Sequence, residues 1–224
     1  MQILQADLIV PGWCSFRVPH GTNVHPTFSV PPPSTLYGLV ANALGLAQDD
    51  VSYRAKMNFG VQILAKGELV ETYTQWMKWN PHKNQYRMLV TKQKLLFPAY
   101  RMFVTAEKTL LHWMEEKLNS PERILYLGES DDVVELKNIE VQEWQEGSST
   151  SIQTIIPVDV VDQQIPMNEF EQVYLPVRYE QTGRDQYHTI QKLFYVNDRL
   201  EFKRPVSCFT NDVNQCIVLE GCPC

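Results

Sequence analysis

A chain of 224 residues that is 44% hydrophobic and 21% charged can bury a sizeable core, and no window in it is apolar for the length of a membrane span. Its formal net charge of −6 excludes a uniformly basic nucleic-acid binder, so contact with a polyanion must come from local charge. Met1–Val10 contains Asp7 and lacks a basic start, which is not the pattern of a signal peptide. Of the five cysteines, Cys14 stands alone and Cys208, Cys216, Cys222 and Cys224 lie near the C-terminus; the odd count and the spacing match neither a secreted disulfide framework nor a familiar zinc pattern. The expectation is a cytoplasmic protein with reduced thiols, no membrane contact, no metal and no cofactor.

In chain order, residues 3–10 read as a strand interrupted by Pro11-Gly12, with residues 13–18 resuming it, and residues 19–30 read as a loop. Pro31, Pro32 and Pro33 hold the chain extended and lead into a helix that Ser34 or Thr35 can cap. Leu36, Leu39, Val40, Ala43 and Leu44 recur at helical spacing and form one apolar stripe, made for packing on a sheet. Gly38 inside this helix suggests close approach of another backbone or a ligand, and Gly45 suits a left-handed end. Residues 59–66 and 69–79 read as two strands of a hairpin across Lys66-Gly67. Residues 79–97 read as a basic hairpin projecting from the sheet, and residues 98–105 return as a strand.

Thr105 can cap a second helix over 107–118, with Leu110, Leu111, Met114 and Leu118 as its stripe. Residues 123–127 follow as a strand, and 133–209 hold only strand-like segments. The order strand, helix, hairpin, helix, strand is that of a split βαβ unit. The fold class is therefore α+β: a ferredoxin-like (RRM-type) domain over 1–132 with an inserted β-hairpin thumb at about 79–97, then a small β-rich C-terminal region over 133–224.

Charge is sorted along this chain. From Arg54 to Arg101 nine basic residues stand against only Glu68 and Glu71, whereas from Glu107 to Glu146 four basic residues stand against eleven acids. That pattern predicts polarised faces, one for a polyanion and one for proteins.

Three segments in order, Phe16-Arg17-Val18-Pro19, Thr27-Phe28-Ser29-Val30-Pro31-Pro32-Pro33-Ser34-Thr35-Leu36-Tyr37-Gly38-Leu39 and Tyr126-Leu127-Gly128-Glu129-Ser130, resemble the Cas5 family, the subunit of type I CRISPR surveillance complexes (Cascade) that holds the 5′ end of crRNA. The resemblance covers roughly the first 130 residues. It implies a RAMP-type RNA-binding subunit whose hairpin is a thumb wedged between the repeat-derived handle and the guide. Its partners would be the crRNA 5′ handle, the Cascade backbone subunit and the large subunit, with target DNA reached through the assembled complex, where guide pairing reads the sequence. Family members often carry a basic residue after the Leu-Gly pair, where this chain has Glu129.

The candidate phosphate-binding residues are Arg17, Lys78, Lys83, Arg87, Lys92, Lys94 and Arg101, with Ser34, Thr35 and Tyr37 at the helix entry and Tyr86 and Trp79 as stacking groups. The functional alternatives are a metal-independent endoribonuclease processing precursor crRNA, with His82 as general base and Lys83 stabilising the phosphorane, and a protein-only interaction module.

Overall fold

The computed structural model describes residues 1–19, 24–47, 50–78, 86–161, 164–183 and 186–221. Its strands are β1 (Gln2–Ile9), β2 (Trp13–Cys14), β3 (Val24–His25), β4 (Asn58–Ala65), β5 (Glu68–Lys78), β6 (Tyr86–Leu96), β7 (Ala99–Thr105), β8 (Glu135–Glu143), β9 (Gln145–Ile152), β10 (Ile156–Pro157), β11 (Glu171–Gly183), β12 (Gln186–Val196), β13 (Leu200–Thr210) and β14 (Cys216–Ile217). Its helices are α1 (Pro33–Ala43) and α2 (Lys108–Asn119).

Strands β4, β7, β1 and β8 pair in that order, all antiparallel. With α1 after β1 and α2 after β7, this is the ferredoxin-like arrangement expected from the sequence. Leu4, Ala6 and Leu8 of β1, Phe59, Val61 and Ile63 of β4, and Tyr100, Met102 and Val104 of β7 share one buried cluster with the two helices. The helix stripes are those the periodicity predicts: Leu36, Leu39, Val40 and Ala43 are buried on α1, and Leu110, Leu111, Met114 and Leu118 on α2. Each such side chain contributes about 1.5–3 kcal/mol by leaving water.

Four local expectations change. The fourth strand of the sheet is β8, not residues 123–127, which make only an isolated bridge from Tyr126 to Val133; the four-stranded unit therefore runs past residue 132. There Gly128 takes φ +111°, and Leu127 donates to the Asp132 carbonyl, so the chain turns back at once rather than extending. Residues 59–66 do not form a hairpin with 69–79; β4 pairs with β7, and the hairpin is β5 with β6 from Glu68 to Leu96. Neither helix has the side-chain cap expected of it. Pro32 is the N-cap of α1, and the Thr105 hydroxyl donates to the Gln2 carbonyl. Around Gly38 no heavy atom lies within 4 Å of where a Cβ would stand, so no backbone approaches it. Gly45 does take the left-handed conformation, at φ +71°, with Leu46 donating to Ala41 and Gly45 to Asn42.

The C-terminal region holds two three-stranded sheets, β10-β12-β11 and β14-β13-β9. Ile3 and Phe103, on the sheet face opposite the helices, are buried with Trp144, Phe209, Ile217 and Leu219. Gly60 on β4 lets the Leu219 side chain and the Val218 carbonyl approach that face. In an RRM this face receives RNA; here it is covered by the chain's own C-terminal strands.

Arg54 ties the two regions together. Buried itself, it donates to the Val177 and Met57 carbonyls and to buried Glu220. Burial pushes the Glu220 carboxyl up, and Arg54 opposes that shift. Glu220→Ala strands the guanidinium, and a broken buried pair costs about 3–5 kcal/mol; urea unfolding should show that loss at constant m-value. At the edge of the covered face, Asp7 accepts from Arg101 at 2.5 and 2.9 Å and from Asn138 at 2.7 Å. Burial works against the charged carboxyl, but these partners outweigh it and hold its pKa below the ordinary value. A depressed carboxylate stabilises the fold above its unfolded pKa and loses that contribution as pH falls through its folded value. Below about pH 4, stability should fall less steeply in Asp7→Asn than in the parent, as read by melting temperature against pH.

Candidate RNA interface

The hairpin exposes much of its outer face. Strand β6 lies at the centre of its sheet: β5 pairs along one edge, and β2 and β3 along the other near the hairpin base. Antiparallel register gives the hairpin two faces. One carries Val70, Thr72, Thr74 and Trp76 of β5 with Lys94, Lys92, Val90 and Met88 of β6, and turns toward the body. The other carries Tyr73, Gln75 and Met77 with Thr91, Leu89 and Arg87; Tyr73, Met77 and Leu89 are each more than 60% exposed.

At the hairpin base, Asp132 is fully buried. It accepts from the Ser15 amide at 2.8 Å, from the Glu129 amide at 3.1 Å and from the Lys94 ammonium at 2.5 Å. Three donors on two oxygens favour the ionised carboxylate, against burial, which pushes the Asp132 pKa above its ordinary value. Burial disfavours the Lys94 ammonium, but Asp132, Glu129 and Asp131 together outweigh it and raise its pKa. Carboxylate oxygens of Glu129, Asp131 and Asp132 lie within 4.8 Å of one another, and Lys94 reaches all three residues, so its ammonium is the cation of this cluster. Lys92 donates to both oxygens of Glu129, at 2.7 and 2.8 Å.

The basic hairpin and the acidic segment, well separated in sequence, therefore neutralise each other here instead of forming opposed faces. Lys94 is an internal ion-pair residue with 3% exposure, not a surface cation. Glu129, where family members often carry a basic residue, is the partner of Lys92.

Beside this cluster stands a group the sequence reading passed over. His25 is 1% exposed and packs its ring against Trp76 at 4.8 Å, edge to face. The Arg17 guanidinium lies over the same indole, 5.3 Å from its centroid. His25 is the register partner of Lys92. Neither His25 nor Trp76 has a motif or spacing that marks it; the β3–β6 pairing brings them together.

The other candidates lie elsewhere. At the α1 entry Pro33 has no N–H, and the Thr35 and Leu36 amides both donate to the Pro32 carbonyl. Ser34 is thus the one first-turn amide with no backbone acceptor among the described residues. Tyr37 is buried, its hydroxyl donating to the Asp50 carbonyl at 2.7 Å, and burial raises its pKa. Ser34, Tyr37 and Gly38 line a groove of about 560 Å³ with Asn42, Tyr126 and Tyr179. Arg101 sits on the opposite side of the sheet with Asp7. Trp79, His82 and Lys83 lie outside the described residues, as do the side chains of Lys78 and Tyr86.

A βαββαβ sheet with a long hairpin between its second and third strands, and with its RNA-type face covered from within, defines a ferredoxin-like domain of the RAMP class. A family model described as "CRISPR-associated protein (Cas_Cas5)" matches residues 11–206, and the chain belongs to that family. It is similar in fold to a chain of a CRISPR RNA-guided surveillance complex, at 12% identity and TM-score 0.66 over 91% of this chain and 92% of that one. A CRISPR protein from Archaeoglobus fulgidus matches at 12% identity and TM-score 0.57 over 99% and 100% of the two chains. A chain of the type III-B Cmr-beta complex bound to cognate target RNA and AMPPnP matches at 9% and 0.51 over 88% and 86%. No curated protein matches the chain by sequence.

The cluster makes its own prediction. Asp132→Ala removes the nearest and only fully buried partner of the Lys94 ammonium, leaving it Glu129 at 3.4 Å, and frees the Ser15 and Glu129 amides. It should cost about 3–5 kcal/mol, while Asp131→Ala, at an exposed carboxylate 4.0 Å from Lys94, should stay within about 1 kcal/mol. Thermal unfolding of the two variants side by side checks the ranking.

Proposed function

We propose that this chain is a non-catalytic subunit of a type I CRISPR surveillance complex, in which it clamps the 5′ handle of crRNA. Its surfaces would meet the backbone and large subunits, and target DNA would be reached only through the assembled complex. The observation that carries this reading is the hairpin. Two strands of eleven residues each span roughly 35 Å at about 3.3 Å per residue, and their outer face presents Tyr73, Met77, Leu89 and Arg87 to solvent. An exposed aromatic and an unscreened guanidinium on a long arm suit stacking against unpaired bases and contact with a phosphate backbone. The covered sheet face supports the same assignment, because it leaves the arm with its exposed Arg87 as the open surface. Arg87 makes no ion pair among the described residues.

The test uses the full chain and the assembled complex. Replacing Lys83 and Arg87 together by Ala should weaken crRNA retention and lower the slope of log affinity against log salt by about 0.7 for each lost contact to single-stranded RNA. Stability should stay within about 0.5 kcal/mol for the change at exposed Arg87. An unchanged slope would remove the hairpin from the RNA grip. Labelled repeat RNA incubated with the chain in EDTA is the parallel arm; cleavage that disappears in His82→Ala would replace the clamp with a ribonuclease.

A further inference from the structure

We propose that Arg17, His25 and Lys92 at the hairpin base form a binding site for one RNA phosphodiester, with the Glu129 carboxylate holding in this structure the Lys92 ammonium that the phosphate would take. The proposal rests on the RNA-clamping reading and adds to it a defined anion site away from the hairpin's outer face.

His25 supplies the first observation. Both its ring nitrogens are buried and neither has a hydrogen-bond partner. A neutral imidazole must carry one N–H donor and one bare acceptor, and leaving both unmet in a folded interior calls for an explanation. Trp76 cannot provide one, because it meets His25 ring to ring.

The surrounding charges supply the second. Arg17 comes from the segment bridged to Thr27, Lys92 from β6 and Glu129 from the turn after Gly128, while β5 contributes the uncharged Trp76. Arg17, Lys92 and the imidazole lie beside Glu129; counted with Lys94, Asp131 and Asp132 the cluster holds three cations and three carboxylates, so moving Glu129 away opens one net positive charge for an anion. Burial, with Arg17 and Lys92 added, holds the His25 pKa below its ordinary value, and Glu129 opposes them only weakly. A group whose protonation is suppressed by cationic neighbours is stabilised in its charged form by an added anion.

The cover over the site is one side chain deep: Arg17 is exposed and Trp76 half-buried. Glu129 is held by salt bridges to Lys92 and Lys94. Since Asp132 keeps Lys94 paired on its own, Glu129 can leave without stranding that buried ammonium. A phosphodiester offers two unesterified oxygens, enough to take over Lys92 and to accept from Arg17 and His25. A free carboxylate has the charge but no esterified chain to continue along the hairpin, and the RNA backbone has both.

The test measures binding of a labelled single-stranded RNA oligonucleotide by the full chain, with inorganic phosphate as competitor. Glu129→Gln keeps the shape and removes the competing charge, so it should tighten RNA binding by about three- to tenfold. Arg17→Ala and His25→Phe, the latter keeping a ring against Trp76, should each weaken it by a similar factor. Binding by the parent should strengthen as pH falls from about 7.5 to about 6, through the imidazole range, and His25→Phe should abolish that dependence. Millimolar inorganic phosphate should compete with RNA in the parent and lose that effect in Arg17→Ala. If His25→Phe does not fold, Glu129→Gln and the pH profile of the parent decide. Equal or weaker binding by Glu129→Gln, or a flat pH profile in the parent, overturns the site. Should Arg87→Ala still weaken binding in that case, the hairpin clamp stands and only this site falls; RNA binding that depends on neither fails both.

Discussion

Asp132 has no contact with water, and its two oxygens hold three parts of the chain at one point. The Ser15 amide brings in the segment after β1, the Glu129 amide closes the turn at Gly128, and Lys94 anchors β6. An ionised carboxylate taken out of water is costly, and only full satisfaction by hydrogen bonds and a paired charge offsets it. The interaction is therefore close to all-or-none. With it in place, the root of the hairpin is fixed to the ferredoxin-like body; without it, two charges lie in a medium that does not solvate them. Gly128 belongs to the same constraint, since a Cβ there would run into the Ser15 carbonyl.

The fixed root lets the rest of the hairpin stand free. A hairpin isolated in water is marginal, and this one gains its order from β2 and β3 pairing on the far edge of β6 and from Trp76 packing over His25. Beyond that zone the outer face, with Met77 and Arg87, is open to solvent. The division is physical: the base carries buried, paired charge that sets position, and the outer face of the arm carries exposed groups.

The C-terminal strands act at the opposite pole. By burying Ile3 and Phe103 under Trp144, Phe209 and Leu219, they convert the sheet face that an RRM offers to RNA into a second hydrophobic core. The buried Arg54–Glu220 pair, with Arg54 also holding the Val177 carbonyl, makes this cover part of the same folded unit. The sheet face is thereby closed, and the hairpin is left as an exposed arm on the same scaffold.

The elements whose register is local were legible in the sequence. The stripes of α1 and α2, the left-handed Gly45 and the β-rich second half follow from periodicity and residue type, because such patterns are fixed by neighbours three or four positions away. The motif around Pro31–Gly38 also gave the family. Pairing partners were not legible: 59–66 and 69–79 look like a hairpin, yet β4 pairs with β7, and in the closed four-stranded sheet Phe59 and Ile63 are buried. The charge pattern misled for a related reason. A run of lysines followed by a run of acids reads as two faces, but Lys92 and Lys94 meet Glu129 and Asp132 across 37 and 38 residues, and only the fold sets that distance to hydrogen-bond length. His25 was invisible for the same reason. A lone histidine in a loop carries no signal until tertiary packing buries it between a tryptophan and two cations, and the burial, not the residue type, gives it something to do.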